Sequence, residues 1–430
     1  MSSKGKSSVE MGGGTALIPK LRFPEFEEAD GWKEIPLQKL ARPVTDRATT
    51  GDADNVLSLS GEHGLVLQSE YFGKKIAGNS TDRYLKIRKD DFVYNDRTTK
   101  ASSFGTIKRL SVHEGGIVSP IYKCFRFHSS ENPAFWEWYF ESGSHNPALG
   151  GLVNEGARAG RFNISVTQFL STNAWRPDEA EQKKIADCLD SADALIAAQG
   201  RRVEALRAHK KGLMQQLFPQ EGETQPRLRF PEFEGAGKWD EVRLSTLGEL
   251  VSGLTYSPDD VRDEGLLVLR SSNIQGGKID LNDCVYVEPN IKGANLSQPN
   301  DILVCVRNGS TALIGKTALI PRGMPLCTHG AFMTVFRSHA PEFVFQLFQT
   351  SRYQKQVAGD LGATINSING AQFLRYKFFV PKPSEQQRIA ECLTSLDDHI
   401  AAEAKKLDAL KTHKKGLMQQ LFPKVGEDEA

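Results

Sequence analysis

Cysteine is scarce: six in 430 residues, with no CxxC pair and no histidine cluster at ligand spacing. That pattern argues against structural zinc and suits a reducing cytoplasm, which is the location expected for the chain. Two of the six, Cys188 and Cys392, sit beside helical seams and are expected to pack as small hydrophobes. Long apolar runs are missing too, and nothing approaches the roughly 18 residues a transmembrane helix needs. A dominant charge is absent: the formal net charge is +1, which leaves room for positive charge confined to one face. Residues 1–20, rich in Ser, Gly and Lys, lack the apolar core of a secretory signal and read as a disordered tail, and residues 424–430 read as a tail at the other end.

Catalytic signatures are missing as well. The run RNGSTALIGKT nearly spells a phosphate loop, but five residues separate Gly309 from Gly315 where the motif needs four, so a strand–turn–strand is expected. Asn132-Pro133-Ala134-Phe135 lacks the second proline of an adenine-methyltransferase tetrapeptide. Pro177-Asp178 followed by Glu181-Gln182-Lys183 imitates a nuclease motif, yet its acids lie at a helix start, where capping explains them. The nine histidines form no triad, and no metal or cofactor site is expected on this chain.

What the chain has is a repeat. EQKKIADCLDSADALIAAQGRRVEALRAHKKGLMQQLFP, Glu181 to Pro219, recurs as EQQRIAECLTSLDDHIAAEAKKLDALKTHKKGLMQQLFP, Glu385 to Pro423, at an offset of 204 residues. The terminal HKKGLMQQLFP is identical in both. Ile185, Leu189, Ala192, Ile196, Gln199, Val203, Leu206, Lys210, Leu213 and Leu217 keep an unbroken 4-3 spacing. Ile389, Leu393, Leu396, Ile400, Glu403, Leu407, Leu410, Lys414, Leu417 and Leu421 keep it in the second copy. A 3.5-residue period holds one apolar stripe against a partner helix, which is the coiled-coil pattern. The polar members, Gln199/Glu403 and Lys210/Lys414, fall at matching places and suit a register-fixing role. Ser384 with Gln387, and Asp178 with Glu181, predict capped starts, and Pro219 and Pro423 end the helices. Gly212 and Gly416 suggest a close helix–helix approach. About 38 helical residues would span roughly 57 Å, a spacer's length.

The motif LRFPEFE followed by a tryptophan also recurs, Leu21–Glu27 with Trp32 and Leu228–Glu234 with Trp239. Each half therefore runs from this motif through a globular segment to a long helix. The globular segments diverge but keep landmarks: Asp91–Tyr94 resembles Asp301–Val304, Tyr122–Arg126 resembles Met333–Arg337, and Gly156–Arg158 leading to Gln168–Leu170 echoes Gly362–Thr364 leading to Gln372–Leu374. Asn55–Leu59, Leu266–Leu269 and Lys316–Ile320 read as strands; Pro133–Ser142 and Pro341–Val357 read as helices. The expected fold is α+β: two mixed α/β domains joined by two long antiparallel coiled-coil helices, with a pseudo-two-fold internal repeat. The expected boundaries are 21–176 and 220–382 for the domains, and 177–219 and 383–423 for the helices.

Basic and polar clusters mark both domains. From Asp82 to Arg126 there are ten Lys/Arg against five Asp/Glu, and from Leu266 to Ser338 seven against four. The candidates for DNA contact are Asn95, Arg97, Lys100, Lys108, Arg109, Arg158, Arg161 and Asn163 in the first half. In the second half they are Arg270, Ser272, Asn273, Arg307, Asn308, Ser310, Asn366 and Asn369. Arginine matches guanine O6/N7 and asparagine matches adenine N6/N7, while small neighbours let the backbone approach.

Taken together, the LRFPEF motif, the EQxxIA helix starts and the duplicated HKKGLMQQLFP ends resemble the specificity subunit of type I restriction-modification enzymes, over nearly the whole chain. The resemblance implies two target-recognition domains, each reading one half of a bipartite site on double-stranded DNA. It implies helices that set the spacing and dock methyltransferase subunits, two of them expected, with restriction/translocase subunits completing the complex. S-adenosylmethionine and ATP with Mg²⁺ would then belong to the partners, and this chain would be non-catalytic. The alternative is a coiled-coil scaffold, or a DNA-binding adaptor of a related methylation-based defence system without a restriction subunit.

Overall fold

A computed structural model describes residues 16–49, 52, 55–73, 81–98, 102–152, 163–361 and 366–423. Lys100, Arg158, Arg161 and residues 424–430 lie outside them. The elements used below are, in the first half, β1 (Ala41–Pro43), β2 (Phe92–Asn95), β3 (Thr106–Arg109), β4 (Lys123–Phe127), α1 (Pro133–Glu141) and α2 (Glu179–Leu217). In the second half they are β5 (Gly248–Ser252), β6 (Ile302–Cys305), β7 (Thr317–Leu319), β8 (Met333–Ser338), α3 (Pro341–Leu347) and α4 (Pro383–Leu421).

The chain forms two compact units, residues 1–199 with 406–430, and residues 200–405. Each long helix contributes to both. In the first unit the start of α2 (Ile185, Ala186, Leu189) shares a core with the end of α4 (Leu417, Met418, Leu421, Phe422). In the second, the end of α2 (Leu213, Leu217, Phe218) shares a core with the start of α4 (Ile389, Leu393). Start meets end each time, so the helices are antiparallel within each unit. All twenty residues of the two 4-3 stripes are buried or half-buried.

Each unit is built on a four-stranded sheet, and the two sheets have the same topology. The first has strand order β1-β4-β2-β3, the second β5-β8-β6-β7, antiparallel throughout. Alternation sorts the side chains onto two buried faces. Phe92, Tyr94, Phe125 and Phe127 face the helical core, while Val93 and Cys124 face a second sheet. In the second unit Ile302, Val304 and Phe336 take the helix side and Leu303, Cys305, Met333 and Val335 the other. Each second sheet contains one parallel pair, Val56–Ser60 with Gly115–Val118 and Leu266–Leu269 with Cys327–His329. The turn into β2 and the turn into β6 match as well. Asp90 (φ 69°) and Asn300 (φ 68°) adopt the left-handed conformation that short polar side chains tolerate. The next residues, Asp91 and Asp301, are buried and gripped from the neighbouring strand by Arg126 (2.5 and 2.7 Å) and Arg337 (2.9 and 2.8 Å).

Several expectations need correction. Ala16–Leu17, inside the stretch read as a disordered tail, pairs with Trp32–Lys33 as a strand. The helix expected over Pro341–Val357 is two helices, α3 and Ser351–Asp360, because Thr350 takes an extended conformation and caps the second one. Ser384 is no N-cap, since α4 already begins at Pro383, and Gln387 hydrogen-bonds Glu391 instead. Asp178 does cap, accepting from the Glu181 amide at 2.8 Å. Close approach does not explain Gly212 or Gly416, because a Cβ at either would meet nothing within 4 Å. Cys188 and Cys392 are half-buried, and burial raises the Cys188 thiol pKa.

The two seam lysines are paired symmetrically. Lys210 reaches both carboxylate oxygens of Asp397 at 2.7 Å and Gln349 at 2.9 Å. Its repeat counterpart Lys414 pairs with Asp193, the counterpart of Asp397, and lies 4.1 Å over the Trp138 ring. Burial pulls the Lys210 ammonium pKa down while Asp397 pulls it up.

The first unit also buries a neutral imidazole. His145, edge-on to Phe140, has an Nδ1 atom with no hydrogen-bond partner, and burial drives its pKa down to about 3. Between that value and the unfolded value near ~6.5 the unfolded chain carries the extra proton. Stability is therefore complete above that range and falls with acidification, by up to about 1.4 kcal/mol per pH unit. Urea titrations of the first unit's core from pH 7 to pH 4 should show this slope in the native protein and a shallower one in His145→Phe. Equal slopes in the two would remove His145 as the source.

Candidate nucleic-acid interface

The second unit brings three remote segments to one end of its sheet. Strand β6 ends at Cys305, and Val306 and Arg307 both donate their amides to the Phe332 carbonyl at 3.1 Å. Arg307 bridges Ser367, and the Ile368 amide donates to the Val306 carbonyl at 2.8 Å. Asn308 Nδ2 donates to Ser271 Oγ at 2.9 Å, and its Oδ1 accepts from the Ser310 amide at 2.9 Å. Asn366 Nδ2 donates to the Gly309 carbonyl at 3.3 Å. Arg307 is exposed, with its guanidinium 5.8 Å from the centre of the Phe332 ring, itself 58% exposed. The result is a fixed loop cluster whose outer surface offers a guanidinium, amides, hydroxyls and an aromatic ring. Those groups suit base edges and phosphates.

The other candidates of this unit fall into two groups. Ser272 is exposed beside the cluster. Asn369 caps the short helix Gly370–Phe373, accepting from Ala371 at 2.9 Å and Gln372 at 3.3 Å, and so anchors the Asn366 loop. Arg270 pairs with Asp283 at 2.7 Å. Asn273 is a correction: it is fully buried, with its amide donating to the Asp280 and Asp283 carbonyls, so it shapes the loop and offers nothing to a base.

In the first unit the candidates separate. Asn95, half-buried, accepts from the Arg97 amide at 3.2 Å, and Arg97 is exposed just past β2. Asn163 is exposed in the left-handed conformation (φ 51°). Lys108 and Arg109 lie towards the opposite end of the β2–β3 ladder, where Arg109 faces Phe92 while Thr106 faces Asn95. Both are turned onto α1: Lys108 pairs with Glu141, and Arg109 with Glu137 (2.7 Å) and Asp90 (2.9 Å). Burial lifts the Glu137 carboxyl pKa, and Arg109 opposes that rise. The excess of positive charge counted from Asp82 to Arg126 is thus largely consumed by folding. Lys86, Lys89, Lys123 and Arg126 also find acidic partners in Asp52, Glu114, Asp96 and Asp91. Composition could not show this, because several of the partners lie outside the counted window.

The surface residue missed from sequence is Phe332. A signal for Phe332 existed: it immediately precedes the landmark Met333–Arg337, as Ile121 precedes Tyr122–Arg126, and Ile121 is also exposed, at 48%. Among the described residues no helix is long and apolar enough to cross a membrane.

Residues 236–412 match the family model of the type I restriction modification DNA specificity domain. The chain is 30% identical over 182 residues to the type I restriction enzyme StySPI specificity subunit of Salmonella potsdam, covering 40% of this chain and 39% of that one. It is 33% identical over 171 residues to the EcoKI specificity subunit of Escherichia coli K12, covering 37% and 36%. The matched stretch thus spans well under half the length of these curated relatives. A type I restriction-modification S subunit from M. genitalium superposes with a TM-score of 0.59 at 14% identity, over 95% of this chain and 100% of that one. A chain from a structural study of type I R-M complex assembly and conformational transition gives 0.54 at 15% identity, over 91% and 98%. The chain therefore has the S-subunit fold.

Proposed function

We propose that this chain is the DNA sequence-specificity subunit of a type I restriction-modification complex, each unit reading one half of a bipartite site on double-stranded DNA. The observation that carries this reading is the pairing of one conserved frame with divergent loops. Sheet order, the aspartate–arginine grip and the helix-end packing repeat between the units. The loops at the exposed sheet ends do not. A duplicated frame that varies only its loops suits two readers of different sequences. The long helices serve as the frame on which methyltransferase subunits dock, two being expected, with restriction/translocase subunits completing the assembly. The chain itself performs no chemistry; S-adenosylmethionine and ATP with Mg²⁺ belong to its partners.

Exchange of one reader tests the proposal. Replacing residues 41–170 by the matching segment of a relative should change one half-site in the methylation pattern of the host genome and leave the other as it was. A simultaneous change in both half-sites would mean that the units do not read independently. Loss of all sequence preference in the wild-type complex would sink the proposal itself.

A further inference from the structure

The two units place an arginine and an exposed apolar side chain at the same point of the same sheet. Arg307 follows β6 and Arg97 follows β2, each six residues after the gripped aspartate, Asp301 or Asp91. Phe332 precedes β8 and Ile121 lies just before β4, the strands that pair with β6 and β2. Both arginines are exposed, and Phe332 and Ile121 are among the exposed large hydrophobics, at 58% and 48%. Loop sequences around them share almost nothing. An exposed apolar residue retained beside an exposed arginine, at matching ends of two diverged sheets, contributes nothing to either core.

We infer that the Arg–apolar pair at the open sheet end, Arg307 with Phe332 and Arg97 with Ile121, is a base-reading element of each unit, with the arginine directed at a guanine. This rests on the proposed DNA-reading function and adds which residues read and which base they take. A guanidinium presents two parallel N–H donors that match guanine O6 and N7 in the major groove. In the second unit the Arg307 guanidinium lies 5.8 Å from the centre of the Phe332 ring, and the arginine backbone is tied to both Phe332 and Ser367, so the side chain leaves from a fixed base. The apolar neighbour also keeps water from that edge of the contact, where a hydrogen bond counts for more. Because the element recurs at equivalent points, each half-site should contain one guanine read in this way.

The test uses the full chain assembled with the methyltransferase subunits of its own system, in competition binding against sites randomised one position at a time. Arg307→Ala should lower discrimination for guanine roughly ten- to a hundredfold at a single position of one half-site, leaving the other half-site unchanged. Arg97→Ala should do the same in the other half-site. Arg307→Lys keeps the charge but loses the fork, so it should still relax that position, and Phe332→Ala should relax the same one more weakly. Replacing that guanine by 7-deazaguanine, which lacks the N7 acceptor, should weaken the wild-type complex and leave Arg307→Ala unaffected. Uniform weakening across all sequences with a flatter salt dependence would make the arginines phosphate contacts and overturn the inference. A wild-type bipartite preference that survives intact in Arg307→Ala and Arg97→Ala would overturn it while leaving the function standing. Absence of any bipartite preference in the wild-type complex would instead overturn the function.

Discussion

Phe422→Ala is expected to destabilise the first unit by about 3–5 kcal/mol and to leave the second unit's core untouched. The ring belongs to the far end of the second long helix, yet it lies among residues from the beginning of the chain. It is 2% exposed and meets Trp32 at 6.0 Å, Phe135 at 5.7 Å and Tyr139 at 6.2 Å between ring centres. Truncation would leave a cavity lined by stiff aromatic rings that cannot collapse to fill it, which places the cost in the upper range for core deletions. Phe218→Ala should reverse the pattern, because Phe218 packs against Trp239 and Phe343 in the second unit. Hydrogen exchange read by peptide would separate the two. Protection should fall over residues 92–140 in Phe422→Ala and over residues 302–348 in Phe218→Ala. Equal loss in both regions for either variant would show that the units do not have separate cores.

That packing also explains the identity of the two HKKGLMQQLFP ends, which sequence periodicity alone left as a puzzle. Each end inserts the same leucine and phenylalanine into a pocket built from the same parts: the tryptophan after LRFPEFE and the first aromatic of α1 or α3, Phe135 or Phe343. Two identical plugs imply two near-identical sockets, so the drift between the globular segments was confined to the surfaces away from them.

The helices, the two-fold repeat and the paired landmarks were legible because they rest on spacing, and spacing survives in a single chain. Asp91–Arg126 and Asp301–Arg337 even fell within the recognised landmarks, although their ion pairs could not be seen there. The individual surface roles were not legible. Whether a basic residue faces solvent depends on which acid folding brings to it, and Lys108 and Arg109 meet theirs on α1, some 30 residues along the chain. Asn273 and Asn308 look alike as loop asparagines, but one closes a buried turn and the other joins an exposed cluster. Gly212 and Gly416 looked like contact residues, whereas nothing lies within reach of an added Cβ. Long-range partnership, not local pattern, decides each of these cases.

Such partnership also gives the LRFPEFE motif its purpose, and a second large effect follows from it. Arg22 donates to both carboxylate oxygens of Glu181 at 2.8 and 2.7 Å and to the carbonyls of Ala29 and Asp30 at 2.8 Å. Arg229 repeats this on Glu385 at 2.8 and 2.5 Å and on the carbonyls of Ala236 and Gly237 at 3.0 and 3.2 Å. Each arginine thus fastens the loop of its own motif to the first turn of a long helix, where a carboxylate also suits the positive end of the helix dipole. The Arg22–Glu181 side chains are only 5% and 1% exposed, so Glu181→Ala leaves a buried guanidinium without its counter-charge. The expected cost is about 3–5 kcal/mol. Glu385→Ala should cost less, since Arg229 is 14% exposed and water can reach the stranded charge. Replacing both partners, Arg22→Met with Glu181→Leu, removes the buried charges altogether and should recover part of the loss. It cannot recover all of it, because the Ala29 and Asp30 carbonyls lose their donors. Denaturant titrations of these two variants and the wild type would give the order Glu181→Ala, then the double replacement, then wild type in rising stability. If the double replacement were no more stable than Glu181→Ala, the loss would stem from the missing hydrogen-bond network, and the stranded charge would not be its cause.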